Sequence, residues 1–250
     1  MQQIFSALDL QNQTQLTLGE ADFQHLIKVL RLGVKDQFWI VDSGHATYQA
    51  TIKNISQTTF QVNLVPQKRV SSELPLQVTL ACALSKKDKL EWITQKATEL
   101  GVTNLIFFPA HYSIMKWKAN VQEKKLARLQ QIALNAAQQS KRLLVPQVHY
   151  YDQLAKIAAT SYSCQLVAYE EAAKKGEGAQ LTTSLTSLKP QQSLIGVFGP
   201  EGGFTVEEIT QLRQNNYKVC GLGPRILRAE TAPLYFLSAV SYQTELSKWE

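Results

Sequence analysis

SLIGVFGPEGGFTVEEI, residues 193–209, holds a strand, a turn and a helix start in one short segment. Ser193 to Phe198 is an apolar, β-prone run, and Gly199-Pro200-Glu201-Gly202-Gly203 then turns the backbone sharply. Thr205 and Glu208 stand at capping-box spacing ahead of a helix over Val206–Asn215. The pattern recurs about twenty residues on. Tyr217–Cys220 reads as a strand leading into LGPRILRAETAP (222–233), where Thr231 is expected to cap a last helix with Pro233 in its first turn.

Upstream the same alternation continues. Leu76–Leu84 is a continuous apolar strand. Ser85-Lys86-Lys87-Asp88 carries a capping signature for a helix with Leu90, Ile93, Ala97 and Leu100 on one face, ended by Gly101. Asn104–Pro109 reads as a strand and Asn120–Ser140 as a long helix, capped by Asn120 with Glu123 behind it and with Leu126, Leu129, Ala133 and Ala136 inward. Asp152–Thr160 is expected to be a short helix, Gln165–Tyr169 a strand, and Ala172–Gln180 a surface loop. Apolar strands alternating with helices predict an α/β domain whose parallel sheet is covered on both faces.

The first seventy residues differ. Gln2–Ser6, Gln13–Leu18, Gln37–Asp42, Ala46–Lys53 and Thr58–Val65 are strand-like, with one helix over Glu20–Leu32. This predicts a small, mostly β barrel over residues 1–70. The polar, proline-bounded segment from Pro66 to Pro75 reads as a linker to a second domain over 75–250.

Composition narrows the function. No apolar run approaches the length of a membrane span, and MQQIFSALDL lacks a signal-peptide pattern, so a cytoplasmic protein is expected. Cys82, Cys164 and Cys220 each sit inside an apolar run and read as buried free thiols. The four histidines show no metal-binding spacing, so no metal is expected. The net charge of +6 is unevenly placed. Residues 1–75 carry six basic and six acidic side chains, whereas Lys86 to Arg142 carries eleven against four. A basic face of this kind suits a nucleic-acid backbone, and solvated helix faces are the alternative. Lys86, Lys87, Lys124, Lys125 and Arg142 are the candidates there; His25, Lys28 and Arg31 on the first helix either touch phosphate or form a solvated face.

Ligands of parallel sheets collect beyond the carboxyl ends of the strands, where both glycine loops fall. Gly221-x-Gly223 lacks the third glycine of a dinucleotide fingerprint, and no phosphate-binding loop of the GxxxxGK[ST] type exists. Pro200 removes an N–H from the first loop and Glu201 would repel an anion. The loops better suit a neutral or cationic ligand with an adenine-like ring.

FGPEGGFTVEEI and LGPRILRAETAP resemble the RsmE family of the SPOUT superfamily, as do KDKLEWITQKATELG (87–101) and HLIKVLRL (25–32). The resemblance spans nearly the whole chain. One departure is Lys141, where the family usually has glycine between serine and arginine. The resemblance implies a PUA-like β-barrel for RNA and a carboxyl-terminal SPOUT domain tied in a trefoil knot. It also implies a homodimer that methylates N3 of a uridine in 16S ribosomal RNA, with S-adenosylmethionine as donor. By motif, the cofactor would meet Tyr169, Phe198, Gly199, Pro200, Glu201, Gly202, Gly203, Leu222, Gly223, Ile226 and Leu227. For the glycines the alternative is a turn role only; for the leucines it is plain core. Arg228 would stabilise charge on the uracil oxygens, and Arg225 would touch RNA or a neighbouring subunit. Glu230 would accept the N3 proton, hold Arg228, or simply favour the helix start. Two other functions stay open: a SPOUT methyltransferase acting on another RNA or atom, and a non-catalytic RNA-binding assembly factor.

Overall fold

The structure, a computed structural model, describes residues 1–171 and 179–247, without the side chain of Lys87. The expected loop over Ala172–Gln180 therefore lies mostly outside the described residues. The chain divides into two compact units, Met1–Ser72 with Gln138–Leu144, and Glu73–Ala137 with Val145–Glu250.

The amino-terminal unit is one five-stranded sheet in the order β1-β3-β4-β5-β2. Its strands are β1 (Gln3–Phe5), β2 (Gln15–Leu18), β3 (Gln37–Val41), β4 (Thr47–Ile55) and β5 (Phe60–Pro66). β1 runs parallel to β3 and the other pairs are antiparallel. No ladder joins the outer strands β1 and β2 among the described residues, so the sheet is an open half-barrel rather than a closed one. The alternation in β4 and β5 sends Tyr48, Ala50, Ile52, Phe60, Val62 and Leu64 inward, where Phe23 and Leu26 close the core. The expected helix is α1 (Glu20–Asp22), continuing into a π-helical stretch over Phe23–Val29.

The larger unit is a six-stranded, all-parallel sheet in the order β11-β9-β10-β6-β7-β8. Its strands are β6 (Gln77–Ala83), β7 (Asn104–Phe108), β8 (Gln147–Tyr150), β9 (Cys164–Ala168), β10 (Ser193–Phe198) and β11 (Lys218–Cys220). Its helices are α2 (Lys87–Glu99), α3 (Ala119–Gln139), α4 (Leu154–Ala158), α5 (Gln180–Ser187), α6 (Val206–Gln214) and α7 (Thr231–Ser241). β6 shows why the sheet is buried on both sides. Val78, Leu80 and Cys82 face a core shared with α2, α3, α5 and α7, while Ala81 and Ala83 face one shared with α4 and α6. Cys82 and Cys220 are buried and Cys164 is half-buried, none of the three in a disulfide, so burial is complete for only two of them.

Helix starts follow the sequence in one case and depart from it in three. Thr205 and Glu208 form the full capping box of α6: Thr205 Oγ1 accepts from Glu208 N at 3.2 Å, and Thr205 N donates to Glu208 Oε2 at 2.9 Å. Ser85 does not cap α2, which begins at Lys87 behind Lys86; its buried hydroxyl has no hydrogen-bond partner. α3 begins at Ala119, one residue ahead of the expected cap. Thr231 is the first residue of α7 rather than its cap, and Glu230 stands at the cap position.

Candidate active site

Parallel order sets the carboxyl ends of β9, β10 and β11 side by side, so the loops that follow them form one edge. Tyr169 N donates to the carbonyl of Cys220 at 3.1 Å, which joins the exits of β9 and β11. The loop after β10 is pinned from below. Phe198 is buried with its ring edge-on to Phe236 at 5.5 Å, and Gly203 N donates to the Pro200 carbonyl at 2.9 Å. Phe198 is therefore core, and only its backbone is available to a ligand.

The glycines sort by what surrounds them. A Cβ on Gly199 would meet backbone of Gly203 at 3.1 Å, and one on Gly202 would lie 2.8 Å from Tyr112 Cβ. These two let the loop fold onto itself and onto the β7 exit. Gly203 and Gly223 differ: φ is +71° and +86°, with nothing within 4 Å of a Cβ at the first and only Tyr235 Oη at 3.9 Å from the second. Both require glycine for conformation, and both leave bare backbone beside open space.

The second loop carries Leu222, half-buried against the core, then Arg225, Ile226 and Arg228, all exposed. Ile226 is 74% exposed, an unusual position for an isoleucine held by a core. The Arg228 carbonyl accepts from Thr231 N at 2.9 Å and Ala232 N at 3.0 Å, so its backbone starts α7 while its side chain stays in solvent.

Lys89, which lies in the basic span and in the KDKLEWITQKATELG motif but has no site role assigned from sequence, joins the two loops. From the first turn of α2 its Nζ lies 2.9 Å from Glu201 Oε1 and 2.9 Å from Glu230 Oε2. Hydrogen bonds to Glu201 and then Glu230 push the Lys89 ammonium above its ordinary pKa, against burial. Burial would raise the Glu230 carboxyl, but the Lys89 hydrogen bond, its own backbone N–H and the fields of Lys89 and Arg228 hold it below the usual range. Glu201 behaves alike, although the nearby Glu230 charge works against it. One signal was legible: a lysine in a helix's first turn opposes the macrodipole and calls for compensation.

An open groove of about 780 Å3 flanks the first loop, lined by His111, Tyr112, Phe204 and the start of α6. Its helix N-terminus is already satisfied by Thr205 and Glu208, and Glu208 Oε1 also accepts from His111 N at 2.9 Å, so it does not suit an anion.

The candidate RNA residues fare unevenly. His25, Lys28 and Arg31 share one exposed stretch of the amino-terminal unit, with Lys28 Nζ 5.5 Å from the Phe23 ring centre. Lys86 and Lys124 are exposed, and Lys125 is half-buried with Nζ 5.0 Å from the Trp117 ring centre. Arg142 is corrected: it is 2% exposed, and its carbonyl accepts from Gln3 Nε2 at 2.7 Å, so its guanidinium is not offered to phosphate. Lys87 lies outside the described side chains. Lys96 pairs with Glu99 and Arg128 with Glu91, both already set against the basic count, whereas Lys89, held by Glu201 and Glu230 from outside the span, and the buried Arg142 make the basic face smaller than that count implies. Lys141 adopts φ +62°, the left-handed conformation that glycine favours. Among the described residues no cluster of three metal-ligating side chains occurs, and no helix is long and apolar enough to cross a membrane.

S-adenosylmethionine fits these loops on their own chemistry: a flat ring can approach the bare backbone at Gly203 and Gly223, and two carboxylates sharing the single ammonium of Lys89 keep a net negative charge that tolerates a cation and disfavours phosphate. Comparison with known proteins agrees. Residues 72–241 match the model of an RNA methyltransferase domain, and residues 18–65 match that of an RNA methyltransferase PUA domain. Ribosomal RNA small subunit methyltransferase E of Bacillus subtilis (strain 168) is 41% identical over 228 residues, 90% of this chain and 89% of its own length. The enzyme of that name from Synechocystis sp. is 33% identical over 229 residues, 90% of this chain and 72% of its own. The crystal structure of the Neisseria gonorrhoeae methyltransferase E bound to S-adenosyl methionine superposes with a TM-score of 0.84 at 26% identity, covering 96% of this chain and 97% of that one. The chain belongs to the family of the ribosomal RNA small subunit methyltransferases E.

Proposed function

We propose that this protein is an S-adenosylmethionine-dependent methyltransferase acting on N3 of a uridine in 16S ribosomal RNA, in the cytoplasm and as a homodimer. The observation that carries the reading is the pair of left-handed glycines, Gly203 and Gly223, facing open space at the exits of β10 and β11. The superfamily's trefoil knot belongs to the same reading, with the last helix α7 packed under the first loop through Phe198 and Phe236.

When bound, the sulfonium supplies an already activated methyl group, so the protein's work is alignment and charge. The backbones of 198–203 and 222–227 bind and orient the donor. Arg228, exposed beside the second loop, stabilises negative charge that grows on the uracil oxygens as N3 loses its proton. Glu230 is already paired with Lys89 Nζ at 2.9 Å, which makes it a poor acceptor for the N3 proton and leaves it the role of favouring the nearby Arg228 charge. His25, Lys28, Arg31, Lys86, Lys124 and Arg225 are exposed cations available to RNA. Nucleoside mapping of ribosomal RNA from cells with and without the protein tests the proposal; N3-methyluridine that persists without it would refute it.

A further inference from the structure

The two glycine loops meet at one nitrogen. Glu201 belongs to the loop after β10 and Glu230 to the loop after β11, and Lys89 Nζ on α2 is 2.9 Å from a carboxylate oxygen of each. We infer that Lys89 is a positioning residue: it clasps the two cofactor loops at a fixed spacing by cancelling the repulsion between Glu201 and Glu230. The clasp rests on the proposed function for what the loops hold, but not for its own geometry.

Two further observations support it. Lys89 is the third residue of α2, a helix with no side-chain cap, where a cation faces the positive end of the macrodipole. A lysine is favourable there only if its partners outweigh the dipole, and two carboxylates do. The side chains are also shielded, at 23% exposure for Lys89, 31% for Glu201 and 19% for Glu230. Partial burial strengthens the attraction, and it equally strengthens the repulsion that would remain without the lysine. The charged groups facing the cluster are Lys89 from α2, Glu201 from the first loop, and Glu230 with Arg228 from the second.

The test is hydrogen exchange of residues 199–204 and 221–230 in the ligand-free protein from pH 5 to pH 8, corrected for intrinsic rates, alongside calorimetric titration with S-adenosylmethionine. At pH 8 Lys89→Met should exchange faster in both loops and bind the cofactor about tenfold more weakly, a scale between those of exposed and buried ion pairs. Both defects should shrink toward pH 5, where one of the unpaired carboxylates takes up a proton. Adding Glu230→Gln to Lys89→Met removes the repulsion but not the lost contacts, so at pH 8 it should recover part of both defects, and Lys89→Arg should behave as wild type. Glu230→Gln alone keeps the Lys89–Glu201 pair, so it should loosen the second loop and spare the first. Wild-type exchange in Lys89→Met, or a loss that neither acid nor Glu230→Gln repairs, would overturn the clasp; so would equal loosening of both loops by Glu230→Gln. If the wild type bound no S-adenosylmethionine while the exchange pattern held, the cofactor reading would fall and the clasp would stand.

Discussion

Replacing Gly203 or Gly223 by alanine separates ligand contact from turn geometry. Both have positive φ, which costs an L-residue about 1–2 kcal/mol. For a chain of this length each kcal/mol lowers Tm by about 2–4 °C. No neighbour blocks the added methyl group, since Gly203 has nothing within 4 Å and Gly223 has only Tyr235 Oη at 3.9 Å. The stability loss should therefore stop at the conformational cost. The methyl would enter the space assigned to the donor, so S-adenosylmethionine affinity should fall further than stability alone explains. Gly101→Ala is the control. Its φ is +94° and its Cβ would lie 2.6 Å from Leu74 Cγ, so overpacking adds about 1–3 kcal/mol to the strain. Yet Gly101 precedes β7, at the amino-terminal edge of the sheet, so cofactor affinity should be untouched. Thermal unfolding and calorimetry on the three variants make the comparison. If all three keep wild-type affinity, Gly203 and Gly223 are turn glycines only and the bare-backbone argument is wrong.

Arg228→Ala should leave S-adenosylmethionine binding intact and abolish methyl transfer; an equal loss of cofactor affinity would assign Arg228 to binding instead. Charge reversal at Lys124 and Lys125 should weaken RNA binding chiefly at low salt, with the larger effect at the exposed Lys124; no effect would make the amino-terminal sheet the main platform. Lys141→Gly should raise stability by about 0.5 kcal/mol in urea denaturation, the left-handed strain it relieves being partly offset by the chain entropy of glycine. Acid should loosen the loops in a defined window. The Glu201 and Glu230 carboxyls are held below their ordinary 4.5, so their contribution is present above that pH and lost as pH falls through their folded values. Lys89 is held above its ordinary 10.5, so its share is present below that pH and lost only as pH rises through its folded value. Acid titration of wild type against Lys89→Met should flatten the lower limb in the variant.

The α/β architecture was legible because β6 and β10 are continuous apolar runs and α6 carries a complete capping box. β8 was not, because an edge strand of four residues buries only Val148 and leaves no apolar run to read. α5 was hidden for a related reason. QLTTSLTS is rich in serine and threonine, which favour other backbone states, and packing of Leu181 and Leu185 makes it helical. Within the site, the glycine loops stood out by spacing alone, whereas their link through Lys89 joins residues far apart in the chain and needs the fold. Charge counting erred for the same reason: it credited Arg142 to a surface that the fold does not give it.

The most direct test supplies the purified protein with labelled S-adenosylmethionine and small ribosomal subunits from cells lacking it, then identifies the labelled nucleoside by mass spectrometry. The account predicts label on N3-methyluridine, lost with Arg228→Ala. Label on a ribose or another base, or none at all, would contradict it.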